Sequence, residues 1–219
     1  MPALLFDLDG TLLHSDALHY EIFAEIFLER GRTLTMDQYF DQIHGRRNVD
    51  FLPEFFPDVD AERLGREKED RFRARLSGDV PAMPGAAALI DRALAGGWGL
   101  AVVTNAPRAN AEHMLQAIGL RDAFDVLIIG EDCTRAKPDP EPYIAAMEAL
   151  SARPDACLAF EDSPSGTRAA RASGAYTVGI LSSAGHDALS AAGAHETLID
   201  FTDPRLEQIL AFRHRKADT

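Results

Sequence analysis

A chain of 219 residues has room for one large domain or a domain carrying an insert, and 46% hydrophobic against 26% charged residues is the balance of a water-soluble globular protein. The formal net charge of −13 argues against the basic face that a nucleic-acid partner needs, and no apolar run approaches the ~20 residues that span a bilayer, so neither nucleic acid nor membrane is an expected partner. Asp7 interrupts the N-terminal apolar run too early for a signal peptide, which makes the cytoplasm the expected compartment.

In chain order, residues 4–8 read as a buried strand. Residues 17–30 read as a helix, with Leu18, Ile22, Phe23, Ile26 and Phe27 at helical spacing. Further helices are expected over 36–43, 48–56 and 60–76, the last charge-rich and solvated on one side, with Lys68 and Arg75 as surface charges. Residues 16–82 thus carry helix signals and no strand signal, and Met83-Pro84-Gly85 punctuates the chain after them. From there the pattern alternates. Helices are expected over 86–95, 110–118, 141–150 and 165–173, and strands over 99–104, 126–130, 156–161, 175–180 and 197–201. Residues 213–219 are expected to fray. Alternating strands and helices imply a parallel sheet covered on both faces, that is, an α/β Rossmann-like core. The core is expected over 1–15 and 83–219, with an all-helical insert over 16–82.

Four short motifs carry chemistry. Phe6-Asp7-Leu8-Asp9-Gly10-Thr11 sets two carboxylates one residue apart where the first strand ends. One can attack phosphorus while the other moves the proton that a leaving oxygen needs. Thr104 closes a second strand, with Asn105 after it; Lys137 lies in the Pro-bounded loop Ala136-Lys137-Pro138; Glu161 and Asp162 close a third strand. Ligands bind beyond the carboxyl ends of strands in open parallel sheets, so the four can converge. With three lysines against nineteen arginines, a lysine in a motif loop stands out, because a compact ammonium suits a place beside a carboxylate and a phosphoryl group. Taken singly, each motif also fits a solvated acidic turn, a strand-end Thr or a surface Lys. Cys133 and Cys157 make no CxxC pair or ligand cluster; Cys157 is expected in the core, and no disulfide is expected.

These motifs, in this order, resemble those of the haloacid dehalogenase superfamily of phosphohydrolases, in the branch of phosphoglycolate phosphatase-like and beta-phosphoglucomutase-like proteins. The resemblance covers essentially the whole chain and implies a helical cap over the active site. It implies Asp7 as nucleophile and metal ligand, and Asp9 as general acid and then base, with its carbonyl on the metal. Thr104, with Asn105, would bind the phosphoryl oxygens, and Lys137 would pair with Asp7 and the phosphoryl group. Asp162 would ligate Mg²⁺, and Glu161 would do so directly or through water. Asp9 also favours phosphate chemistry over dehalogenation, since a halide leaving group needs no proton.

His19 matches a cap-hinge histidine by its distance from Asp7, and it equally fits a surface histidine near a helix start. Gly45-Arg46-Arg47 resembles a substrate-facing cap loop whose cations grip a carboxylate or second phosphate, and equally fits a solvated turn. The expected function is Mg²⁺-dependent hydrolysis of a small phosphorylated metabolite through an aspartyl-phosphate, by a monomer or weak homodimer. The alternatives are a sugar phosphomutase of the beta-phosphoglucomutase type, and a non-catalytic regulatory protein on the same fold.

Overall fold

The computed structural model describes residues 2–76 and 80–217, with side chains described as far as 211. Strand β1 (Ala3–Phe6) is followed by four helices, α1 (Asp16–Glu29), α2 (Met36–Gln42), α3 (Asn48–Phe55) and α4 (Ala61–Arg75). The alternating part follows: α5 (Ala86–Ala95), β2 (Gly99–Thr104), α6 (Arg108–Ala117), β3 (Val126–Ile129), α7 (Glu141–Ala149), β4 (Cys157–Glu161), α8 (Pro164–Ala172), β5 (Tyr176–Ile180), α9 (His186–Ala192), β6 (Glu196–Leu198) and α10 (Arg205–Ala217). The strands form one sheet of order β3-β2-β1-β4-β5-β6, parallel at every pairing. This is the expected Rossmann-like α/β fold with an inserted helical segment.

The sheet's two faces differ in residue size, as the two-residue period of a strand allows. One face carries Leu4, Phe6, Val102, Leu158 and Phe160, packed with Phe124, Phe201 and the apolar sides of α5, α6 and α10. Phe6 stacks on Phe160 with ring centroids 5.1 Å apart. The other face carries Ala3, Leu5, Ala101, Val103, Cys157 and Ala159, small enough for α7 and α8 to lie close with Tyr143, Ala146, Met147, Ala169 and Ala170. The inserted helices bury Ile22, Phe23, Phe27, Tyr39, Phe51, Leu64 and Phe72 in the same apolar cluster as the first face.

Caps fix several helix starts. Thr35 and Gln38 form a reciprocal capping box on α2, Asp60 accepts from the Arg63 amide on α4, and Ser163 accepts from the Gly166 amide on α8. Three boundaries depart from the sequence expectation by two residues or more. The first strand stops at Phe6, because the Thr11 and Leu12 amides bond back to the Leu8 carbonyl and the chain turns. Helix α6 starts at Arg108 because Pro107 takes the cap, where its missing N–H costs nothing. The last strand is Glu196–Leu198, since Asp200 turns the chain by accepting from Thr202. Regular helix continues to Ala217 in the tail expected to fray; 218–219 lie outside the described residues. Among the described residues no helix is long and apolar enough to cross a membrane.

Candidate active site

Strands β2, β1 and β4 are neighbours in the sheet, so their carboxyl ends bring Thr104, Asp7 and Glu161-Asp162 to one edge. The loop after β3 returns Lys137 to the same point. Its buried ammonium donates to Asp7 Oδ1 at 2.6 Å, Glu161 Oε1 at 2.5 Å and the Val103 carbonyl at 2.7 Å. Glu161 is fully buried beneath the site and accepts a further bond from the Tyr143 hydroxyl at 2.7 Å. Thr104 is buried and its Oγ1 accepts from the Ala106 amide at 3.0 Å. Asn105 points its amide at the Gly45 and Lys137 carbonyls, 3.5 and 3.4 Å away.

Asp9 sits in a different setting. Its Oδ1 accepts from the Ser15 hydroxyl at 2.6 Å and lies 2.8 Å from His19 Nε2. On its other side His19 Nδ1 is 2.7 Å from Lys68 Nζ. An ammonium only donates, so Nδ1 accepts and Nε2–H donates to Asp9. His19 also stacks on Phe72, 4.1 Å between centroids. Burial raises the Asp9 carboxyl, but the His19 and Ser15 hydrogen bonds and the nearby Lys68 outweigh it and hold the carboxyl below the usual carboxylate range. Asp7 moves the opposite way: burial pushes it well above the usual range, Lys137 pulls it down, and Glu161 and Asp162 push it up again. Burial likewise pushes Asp162 up to about 7; His44 opposes this, and Asp16 and Glu161 add to it.

Asp7, Glu161 and Asp162 each offer a carboxylate oxygen, and these atoms lie within 4.8 Å of one another. The cluster sets three carboxylates against the one ammonium of Lys137, and burial first, then the neighbouring carboxylates, raises Asp7 and Asp162. An all-oxygen site with uncompensated charge fits a hard divalent cation such as Mg²⁺. The cradle is built for those carboxylates: a Cβ on Gly10 would lie 2.0 Å from Asp162 Oδ2, and one on Gly166 1.9 Å from Glu161 Oε1. Asp16, His44 and Asp162 form a second cluster. There the surrounding acids outweigh burial and raise His44 to about 9, which favours the protonated ring.

A cavity of about 600 Å³ opens above this edge. Asp7, Asp9, Thr104, Asn105, Lys137 and Asp162 line it from the core. His19, Gly45, Arg46 and Arg47 line it from the inserted helices and their loops; Glu161 lies below it. Arg46 is paired with Glu54, and Arg47 with Asp50. Lys68 corrects the surface-charge reading, since it is 3% exposed and bonds Glu69 and His19. The signal was present in the helical period, because Lys68 stands four residues from both Leu64 and Phe72, on the buried face of α4. Arg75 does lie at the surface, paired with Glu25. His44 went unassigned in the sequence, although its place before Gly45 in the cap loop was a pointer; it lies 3.1 Å from Asp16 Oδ1 and 3.7 Å from Asp162 Oδ2. Tyr143 and Ser183, which touch Glu161 and Asp162, carried no motif.

Comparison with known proteins agrees with this geometry. A family model described as haloacid dehalogenase-like hydrolase matches residues 4–180. Protein CbbY of Rhodobacter capsulatus is 36% identical over 194 residues, 81% of this chain and 84% of that protein. Validoxylamine A 7'-phosphate phosphatase of Streptomyces hygroscopicus subsp. limoneus is 33% identical over 208 residues, 94% of this chain and 96% of that one. A crystal structure of CbbY from Rhodobacter sphaeroides in complex with xylulose-(1,5)bisphosphate superposes with a TM-score of 0.83 at 29% identity, covering 92% of this chain and 95% of that one. The chain therefore belongs to the haloacid dehalogenase-like hydrolase family, as one of its phosphoric monoester hydrolases.

Proposed function

We propose that this protein is a Mg²⁺-dependent phosphatase of small phosphorylated metabolites, sugar phosphates and their analogues among them, working through an aspartyl-phosphate. The observation that carries the reading is the pair of unlike carboxylates on the cavity floor. Asp7 is tied to a buried ammonium, and Asp9, two residues on, is tied to a histidine and a hydroxyl. One acid fixed by a cation and one held by groups that can exchange protons suit a nucleophile and an acid-base group.

In this reading the Asp7 carboxylate attacks phosphorus. A bond forms from its oxygen to phosphorus, and the bond from phosphorus to the substrate oxygen breaks. Lys137 and the Thr104 hydroxyl stand where the phosphoryl oxygens gather charge, and phosphoryl transfer depends chiefly on such stabilisation and alignment. The leaving alkoxide takes a proton from Asp9. A water then attacks the phosphorus of the acyl phosphate, the bond from phosphorus to the Asp7 oxygen breaks to release phosphate, and Asp9 takes the proton that the water gives up. Asp9 is ionised in the conformation seen, which is the state for that second half-reaction. Asp7, Glu161, Asp162 and the Asp9 carbonyl would hold Mg²⁺, which supplies charge neutralisation at the phosphoryl group when bound. Residues 16–82 would act as a cap that closes the cavity and excludes bulk water, with residues 1–15 and 83–219 as the catalytic core.

The phosphatase named for validoxylamine A 7'-phosphate and the CbbY complex with a sugar bisphosphate support the substrate class. The test is phosphate release from a panel of phosphorylated sugars and an aryl phosphate, with Mg²⁺ or EDTA. A burst of released alcohol ahead of phosphate would show the covalent intermediate. Isomerised sugar phosphate in place of free phosphate would instead indicate a phosphomutase, and no metal-dependent turnover on any ester would overturn the reading.

A further inference from the structure

The cavity has two ends with different electrostatics. At the floor, Lys137 and the carboxylate cluster meet the reacting phosphoryl group. Towards the inserted helices the wall carries several cations, but each is already engaged by a carboxylate of the same helical segment. Arg47 makes a two-pronged pair with Asp50, Nε to Oδ2 at 2.8 Å and Nη2 to Oδ1 at 2.9 Å. Arg46 does the same with Glu54, Nη2 to Oε1 at 2.5 Å and Nη1 to Oε2 at 3.2 Å, and its guanidinium also donates to the Gln42 and Asp50 carbonyls. Lys68 is held by both oxygens of Glu69, and Arg73 by Asp70 and Asn110. Arg66, at the exposed rim, is 3.6 Å from Glu62. Among the described residues that line the cavity beyond its floor, carboxylates are as many as arginines and lysines.

A second phosphate entering this end would therefore have to displace a carboxylate from a guanidinium fork that matches it, beside further carboxylates that repel it. A neutral polyhydroxylated body faces no such conflict. Asn48 and Glu131 also line the cavity, and the Asn48 carbonyl and Glu131 can accept from hydroxyl groups. Glu69 accepts from Lys68, Asn48 and Asn110, so its bonding capacity is spent on holding α3, α4 and α6 together.

Resting on the phosphatase reading above, we propose that Asp50 and Glu54 set substrate choice by neutralising Arg47 and Arg46, so that the enzyme takes esters carrying one phosphate on a neutral polyol body and rejects bisphosphates. This chain would thus differ from a relative that binds a sugar bisphosphate. Asp50 and Glu54 do not line the cavity; they act through the arginines and are positioning residues.

The test compares kcat and KM for hexose and pentose monophosphates with those for the matching bisphosphates, alongside p-nitrophenyl phosphate, for the wild type and the Asp50→Asn/Glu54→Gln double variant. The wild type should favour its best monophosphate over its best bisphosphate by about 10-fold or more in kcat/KM. The double variant should narrow that ratio by lowering the bisphosphate KM, with its kcat and the p-nitrophenyl phosphate activity held, a split that general structural damage would not produce. A wild type whose best substrate is a bisphosphate overturns the inference, as does a double variant with an unchanged ratio. Either result alongside aryl phosphatase activity leaves the phosphatase reading standing; loss of turnover on every ester would remove that reading instead.

Discussion

Lys137 Nζ lies 2.6 Å from Asp7 Oδ1, although 130 positions separate them in the chain. The same ammonium is 2.5 Å from Glu161, and all three groups are buried. Lys137→Met would leave two buried carboxylates facing each other without their cation. Breaking a buried pair from one side costs about 3–5 kcal/mol. The variant should melt well below the wild type and lose at least about 100-fold in turnover on every ester, because each presents the same phosphoryl group. Added Mg²⁺ should recover part of the melting temperature, by supplying the missing charge. A variant that melts like the wild type without metal would show that Lys137 does not balance this cluster.

The carboxyl cluster also fixes a pH dependence. Asp162 stands at about 7 against an ordinary 3.8, through burial first and then Asp16 and Glu161, with His44 opposing; Asp7 is raised as well. A carboxyl raised in the folded state binds its proton more tightly there than when unfolded. Its contribution to stability is present at low pH and lost as pH rises through about 7. Metal-free protein should therefore shed the stability that Asp162 contributes between about pH 4 and 7. Mg²⁺ selects the ionised carboxylates, so the stabilisation it gives should grow over the same interval. Melting curves at three pH values, in EDTA and in Mg²⁺, measure both trends; a metal effect that shrinks with rising pH would contradict the assignment.

Asp7 and Asp9 should fail in different ways. Asp7→Asn removes the attacking oxygen anion and should cost on the order of 10³-fold or more on all esters. Asp9→Asn removes the proton donor, which matters in proportion to how poor the leaving group is. An alkyl phosphate should lose about 100- to 10,000-fold. p-Nitrophenyl phosphate, whose leaving group departs as a stable anion, should lose far less. The comparison is made on kcat/KM, because kcat for both esters also carries the shared hydrolysis step that Asp9 serves; equal losses in kcat/KM on the two substrates would take leaving-group protonation away from Asp9.

The sheet and the phosphoryl end of the site were legible because both are written in local pattern. Asp7, Thr104 and Glu161-Asp162 each follow an apolar run that the parallel sheet ends at one edge, so strand order alone brings them together. The far end is written differently. Lys68 is a charged residue in a charge-rich helix, and only its spacing to Leu64 and Phe72 marks it as buried. His44 was marked only by its place before Gly45, and Tyr143 and Ser183 reach the site through packing between distant segments, for which no local sequence signal exists. The pairings of Arg46 with Glu54 and Arg47 with Asp50 belong to the same class: the loop displays its cations in the sequence, but their neutralisation depends on how α3 folds back beside them.

Gly166 offers a test of the site that touches no catalytic group. It lies in the first turn of α8 with ordinary helical backbone, so alanine is not excluded by conformation there. It is excluded by space, since a Cβ would lie 1.9 Å from Glu161 Oε1 and 2.1 Å from Oε2. Glu161 is fully buried, and its Oε1 is held by Lys137 and Tyr143, so it cannot step aside without giving up those bonds. Gly166→Ala should cost about 1–3 kcal/mol, the usual penalty for overpacking. It should also raise the Mg²⁺ concentration needed for half-maximal activity, because the displaced carboxylate belongs to the metal-binding cluster. Gly185→Ala is the matched control, at a position with nothing within 4 Å of the new Cβ, and should shift stability by no more than about 0.5 kcal/mol. If Gly166→Ala melted like the control and kept its Mg²⁺ dependence, Glu161 would have room to move, and its place in the metal cluster would have to be given up.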